Sequence, residues 1–179
     1  LDLLGAWHHA PLDCGIAPDN RDAVRTALNA AAASSDAILT SGGASAGDED
    51  HISALMNTEG TVATWRVAMK PGRPLLMGLW QGVPVFGLPG NPVAAFVCAL
   101  MFARPALSVL AGGPWLTPQG FDVPAAFSKR KKAGRHEYLR ARMSDAGTVE
   151  VFASEGPGRI SGLSWAEGLV VLDAEARDI

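Results

Sequence analysis

Four short stretches carry the residue types that can do chemistry. "SGGASAGDED" (41–50) follows the apolar run "DAILT" and sets Gly42, Gly43 and Ser45 ahead of three carboxylates, Asp48, Glu49 and Asp50. Glycines there let backbone N–H groups approach an anion, but the lysine of a GxxxxGK phosphate loop is missing, which speaks against a nucleoside-triphosphatase. "IAPDN" puts Asp19 at a strand-to-helix turn, and in "GLPGNP" the residues Pro89, Gly90, Asn91 and Pro92 open a helix whose first N–H groups can meet an anion. "WRVAMKPGRP" supplies cations: Arg66 and Lys70, four apart and on one face if a single strand holds both, then Arg73 in a proline-fixed loop. Each stretch also has an ordinary reading. Asp19, Asp50 and Asn91 all suit helix caps, and Arg66 suits a surface position. Taken jointly, cations and carboxylates fit a substrate with several anionic groups handled together with a metal, because Mg²⁺ takes one or two carboxylates plus substrate phosphate and water. On that reading Asp19 and Asp50 are the metal candidates. Asp48 and Glu49 read as solvated loop charges, and no serine sits in a nucleophile elbow.

The elements that must position these loops follow from periodicity and punctuation. After an opening helix, "APLDCGIA" (10–17) alternates weakly and reads as a strand. "PDNRDAVRTALNAAAASS" reads as a helix capped by Asp19 or Asn20, and "DAILTSGG" as a short buried strand. That order is a βαβ unit and predicts a parallel sheet with helices on its faces, the loops lying at the carboxyl ends of the strands. A helix from about Asp50, a strand "TVATWRVAM", two strands around the turn "WQG" and a helix capped by Asn91 with Pro92 at its first position complete the α/β part. The Gly/Pro-rich "LAGGPWLTPQG" (110–120) marks a boundary. Beyond it "FDVPAAFS", "HEYLRARMS", "TVEVFAS" and "GLVVLDA" read as short strands of a small β domain. The expected division is 1–112 and 113–179, and both ends read as interior to a longer chain.

Composition narrows the classes. With 179 residues, 48% hydrophobic and 18% charged, the chain can bury a real core. A net charge of −3 gives no global reason to bind nucleic acid. The one dense basic run, "KRKK" (129–132), reads as a solvated loop. Cys14 and Cys98 lack metal-ligand spacing, and a reducing cytoplasm suits them. Neither a signal peptide nor an unbroken membrane-length apolar run is expected, since Pro and Arg interrupt the longest one.

In their order and spacing, "SGGASAGDED", "KPGRP", "GLPGNP" with its helix, and "GRHEYLRAR" resemble the molybdopterin molybdenumtransferase family, which includes the C-terminal part of gephyrin. The resemblance runs over essentially the whole chain. It implies a three-layer α/β molybdopterin-binding domain with a mostly parallel sheet, followed by a small all-β barrel-like domain. The implied activity is Mg²⁺-dependent insertion of molybdate into adenylylated molybdopterin with release of AMP, in a cytoplasmic protein that is a homodimer at full length. Carried over by position, Asp19, Asp50, Lys70 and Arg66 are implied catalytic residues. Arg66 stands where a bacterial relative has lysine, a swap that keeps charge but changes geometry. Gly42, Gly43, Ser45, Arg73, Pro89, Gly90, Asn91, Pro92 and Ser161 are implied ligand-binding residues. A family glutamate on an earlier loop would precede Leu1, so the resemblance also implies part of a site and no activity in isolation. The alternatives are a molybdopterin adenylyltransferase, whose loop usually reads like "TGGTG", and a non-catalytic molybdopterin-binding or scaffold module.

Overall fold

The computed structural model describes residues 1–42, 50–153 and 159–179. The first part runs α1 (Asp2–Ala6), α2 (Arg21–Ser34), β1 (Ile38–Ser41), α3 (His51–Thr58), β2 (Thr61–Arg66), β3 (Met69–Lys70), β4 (Pro74–Trp80), β5 (Val83–Leu88), and then α4 (Pro92–Cys98). A π-helical turn (Ala99–Ala103) joins α4 to α5 (Arg104–Leu110). The remainder holds β6 (Arg130–Lys131), β7 (His136–Met143), β8 (Val149–Val151), α6 (Ser161–Trp165), β9 (Gly168–Leu172) and β10 (Arg177–Asp178).

One four-stranded sheet has the order β1-β5-β4-β2. Its two faces are both covered, which is why Leu75 and Leu76, pointing opposite ways along β4, are equally buried. On one face α2 and α3 bring Val24, Leu28, Leu55 and Met56 against Leu76, Trp80 and Val85. On the other, Val97, Cys98 and Ala103 of the long helix pack against Leu75, Phe86 and Leu88. The three layers are as expected, but the sheet is mixed. Only β1–β5 is parallel, while β4–β5 and β2–β4 are antiparallel. For β4–β5 the physical reason is the two-residue turn Gln81-Gly82, with φ of 51° and 84°, the primed geometry that folds adjacent strands back on each other.

Several expectations are corrected. Residues 10–17 form no strand; Ile16 is 98% exposed, and no ladder partner for the segment lies among the described residues. The helix Pro92–Leu110, 19 residues long, does reach membrane-crossing length and apolarity, with mean hydropathy 2.0 over an 18-residue window, because the π-helical turn absorbs Pro105 instead of ending there. That helix carries the core residues of the second face, as a buried core helix does. "FDVPAAFS" contributes only an isolated bridge, Ala125 to Val149. "KRKK" is not a solvated loop: Arg130 and Lys131 pair with β10, and Lys131 is buried with its ammonium donating to the Lys132 and Glu175 carbonyls.

The C-terminal part is an open set of sheets and no closed barrel forms among the described residues. Its central strand, β7, pairs with β8 and β9 and, in parallel, with β3 of the first part (Met69 opposite His136, Lys70 opposite Glu137). Gly72 fixes the loop that follows β3. Its φ of +104° lies in the region glycine favours, and a Cβ there would meet the Cys98 sulfur at 2.4 Å. Gly72→Ala is therefore expected to destabilise the chain by about 2 kcal/mol, read as a lower urea midpoint. An unchanged midpoint would contradict this packing.

Candidate functional site

The seam made by β3 and β7 encloses a small cavity of about 80 Å³, whose walls include Lys70, Pro71, Asn91, Tyr138, Arg140 and Phe152. Lys70 arrives from β3, Asn91 from the start of the long helix, and Tyr138 and Arg140 from alternate positions of β7. Asn91 is the N-cap, its side-chain oxygen accepting from the Val93 and Ala94 N–H groups at 2.9 and 3.2 Å. Arg140 is held from three sides. Its Nη1 donates to the Arg159 carbonyl at 2.6 Å, its guanidinium lies 5.0 Å from the Phe152 ring centroid, and Gly162 of α6 presses against it so closely that a Cβ would fall 2.6 Å from Nη1. Burial, and then the neighbouring Cys98, push the Tyr138 phenol above its ordinary pKa, so it is a neutral hydroxyl. Two cations and a phenol around a space of a few waters' volume suit a small oxyanion rather than a large aromatic ligand.

A buried carboxylate stands beside this cavity. Glu137, 5% exposed, lies 3.8 Å from the Lys70 ammonium, 3.3 Å from that of Lys129 and 3.9 Å from Arg135.

A second locus is a wide trough of about 2050 Å³ along the edge strand β1, reached by Asp19, Gly42, Asp50 and His51. Asp50 is buried and caps α3, accepting from the Ser53 N–H at 3.0 Å, while Asn20 rather than Asp19 caps α2. Asp19 is left facing the His51 Nε2 at 3.6 Å. Asp19 and Asp50 thus share one trough, and two carboxylates are the hard oxygen donors that Mg²⁺ combines with substrate phosphate. Among the described residues no group of three or more His, Cys, Asp or Glu is placed to hold a metal by itself.

The "GLPGNP" loop connects the two loci. Gly42 N–H donates to the Leu88 carbonyl at 3.0 Å, and a Cβ at Gly90 would sit 3.8 Å from the Gly42 Cα; Leu88 lines the trough while Asn91 lines the seam cavity. Pro89 is buried between them and Pro92 starts the helix. Arg66 and Lys70 do not share a strand face. β2 ends at Arg66, a tight turn (Met69 N–H to Val67 carbonyl, 2.9 Å) intervenes, and Lys70 joins the other sheet. Arg66 and Arg73 are exposed and line neither space. Ser161 opens α6, next to the Gly162 that buttresses Arg140. Gly43, Ser45, Asp48 and Glu49 lie outside the described residues. Sequence reasoning missed Tyr138, Arg140 and His51. The first two sit at i and i+2 of "GRHEYLRAR", an alternation that signals a shared face, and His51 follows the capping Asp50 directly.

The α/β unit thus lends β3 to the second, β-rich unit, and the cavity lined by Lys70 and Arg140 lies at that seam. Residues 1–109 match the family described as "Probable molybdopterin binding domain", and residues 122–179 match the "MoeA C-terminal region (domain IV)". The chain belongs to that molybdopterin-binding domain family, with the MoeA-type C-terminal region appended. It is 31% identical over 182 residues to a molybdopterin molybdenumtransferase of Haemophilus influenzae, covering 99% of this chain and 45% of that protein. A gephyrin of Dictyostelium discoideum is 37% identical over 185 residues, covering 88% of this chain and 26% of its own length. In fold, the chain superposes on the crystal structure of the molybdopterin biosynthesis moeA protein from Pyrococcus horikoshii with a TM-score of 0.80 at 22% identity, across 99% of this chain and 43% of that one. The chain thus spans under half the length of these relatives.

Both cysteines are free, Cys14 exposed and Cys98 buried, where burial pushes the Cys98 thiol up to about 12. Iodoacetamide at pH 8 is expected to label Cys14 alone in the folded chain, with Cys98 reacting only after denaturant is added. Equal labelling of both, seen by peptide mass spectrometry, would contradict the buried face of the long helix.

Proposed function

We propose that this chain is the substrate-handling part of a molybdopterin molybdenumtransferase, which inserts molybdate into adenylylated molybdopterin with release of AMP. The observation that carries the reading is the seam cavity, where Lys70 of the first matched segment and Arg140 of the second converge on a space of oxyanion size. In this reading Lys70 and Arg140 hold the dianion by charge-assisted hydrogen bonds, with Tyr138 donating a hydroxyl and Ser161 close by. The pterin and its phosphate lie toward the trough, against the backbone of Gly42 and of Pro89, Gly90 and Pro92, with Asn91 keeping the helix start in place. Arg66 and Arg73, exposed near the β2–β4 edge, contribute outer positive charge toward the nucleotide phosphate. Catalysis is then largely positioning and electrostatics, two anions being brought together by fixed cations.

Mg²⁺, when bound, would be held by Asp19 and Asp50 and would neutralise phosphate charge during AMP release. The same reading places the full-length protein in the cytoplasm as a homodimer. It favours metal insertion over adenylyl transfer because the cavity needs Arg140 and Tyr138, which belong to the MoeA-type C-terminal region.

Calorimetric titration with molybdate is expected to give binding that Lys70→Ala weakens by about tenfold or more, as loss of one charge-assisted contact implies. Asp50→Asn is expected to keep the helix cap, since Asn caps as well as Asp, and to leave molybdate affinity unchanged while abolishing Mg²⁺-dependent AMP release in the full-length protein. Molybdate binding indifferent to Lys70 would refute the assignment.

A further inference from the structure

We infer that Glu137 is a positioning residue of this site: it fixes the Lys70 ammonium across the seam without itself lining the cavity. The inference rests on the oxyanion reading of the seam.

The geometry begins with the backbone. The parallel pairing of β3 with β7 sets Lys70 directly opposite Glu137, so their side chains emerge side by side. Glu137 is buried, and a carboxylate that deep is tolerated only with compensating charge. Three cations supply it: Lys70 and Lys129 on Oε2 at 3.8 and 3.3 Å, and Arg135 on Oε1 at 3.9 Å. Among the described residues Oε2 nevertheless accepts no hydrogen bond of good geometry. It is held by converging charge, and that is a restraint on where the ammonium groups sit. Lys70 reaches the cavity and Glu137 does not, so any influence of Glu137 on an anion must pass through Lys70 or act through space.

These two routes have opposite signs. Through space, a carboxylate beside an anion site repels the ligand, and its removal would tighten binding. Through Lys70, its removal takes away one contact that orders a long side chain with several rotatable bonds, and the anion must then supply more of the ordering. Among the described residues three cations face the one carboxylate, so Glu137 anchors the ammonium without cancelling every positive charge around it. Burial of the carboxylate and the strand register favour the second route. The device also couples the parts of the chain: Lys70 belongs to the first matched segment, while Glu137, Lys129 and Arg135 belong to the second.

The test is molybdate titration of the intact 179-residue chain in a double-mutant cycle, with thermal melting as the check on folding. Glu137→Gln is expected to weaken molybdate binding by about tenfold despite raising local positive charge, and to have no further effect in a Lys70→Ala background. Unchanged or tighter binding by Glu137→Gln, or independent additive losses, would overturn the inference. If Lys70→Ala alone has no effect, it is the oxyanion reading that fails. Should Glu137→Gln not fold, Glu137→Asp keeps the charge but draws it back. It is expected to weaken binding by a smaller factor, with ¹³C-dimethylated Lys70 showing an altered chemical shift. No change in either measurement would equally overturn it.

Discussion

The interaction on which the rest depends is the two-residue parallel pairing of β3 with β7. Those few backbone bonds take Lys70 out of the α/β sheet and set it in register with Glu137 of the β-rich part. Because the pairing is parallel and at the edge of a longer strand, its position follows from what flanks it. The tight turn after Arg66 redirects the chain, and the Gly72 loop packs on Cys98. The seam cavity exists because these constraints agree. Neither matched segment supplies its walls alone, since Lys70 and Asn91 come from one and Tyr138 and Arg140 from the other.

From that seam the "GLPGNP" loop carries the geometry to the trough. One peptide unit faces Gly42 and the next residue caps the long helix, so a ligand bridging trough and cavity would lie along a loop whose conformation is fixed by Asn91 at one end and buried Pro89 at the other. Asp19 and Asp50 line the trough, whereas Lys70 and Arg140 line the cavity, with Glu137 behind Lys70. Separating them prevents Asp19 and Asp50 from neutralising the cations that an oxyanion needs, while leaving both within one continuous surface formed by the strand ends. A single pocket holding all of them would satisfy its own charges and bind anions poorly.

Much of this was legible in the sequence, where a local rule decides the conformation. Asn91 with Pro92, Asp50 three residues before an amide it caps, and the turn Gln81-Gly82 are each specified within a few residues, and each appears as expected. What was illegible depended on non-local pairing. The alternation in 10–17 has no strand beside it among the described residues, so periodicity alone did not make a strand. Arg66 and Lys70 fit one strand by spacing, yet Arg66 pairs with β4 and Lys70 with β7, which splits them between sheets. "KRKK" looked soluble by charge, but Lys131 found carbonyl partners and Lys129 a buried carboxylate. Arg140 was hidden for a related reason, since nothing local announces that its guanidinium is clamped between a ring, a glycine and a carbonyl.

The most direct test of the central claim is anomalous scattering at the molybdenum edge from crystals of this chain soaked in molybdate. The account predicts a peak in the seam cavity, with oxygens within hydrogen-bonding reach of Lys70 Nζ and the Arg140 guanidinium, lost in Lys70→Ala crystals. A peak confined to the trough beside Asp19 and Asp50, with the seam empty, would contradict it.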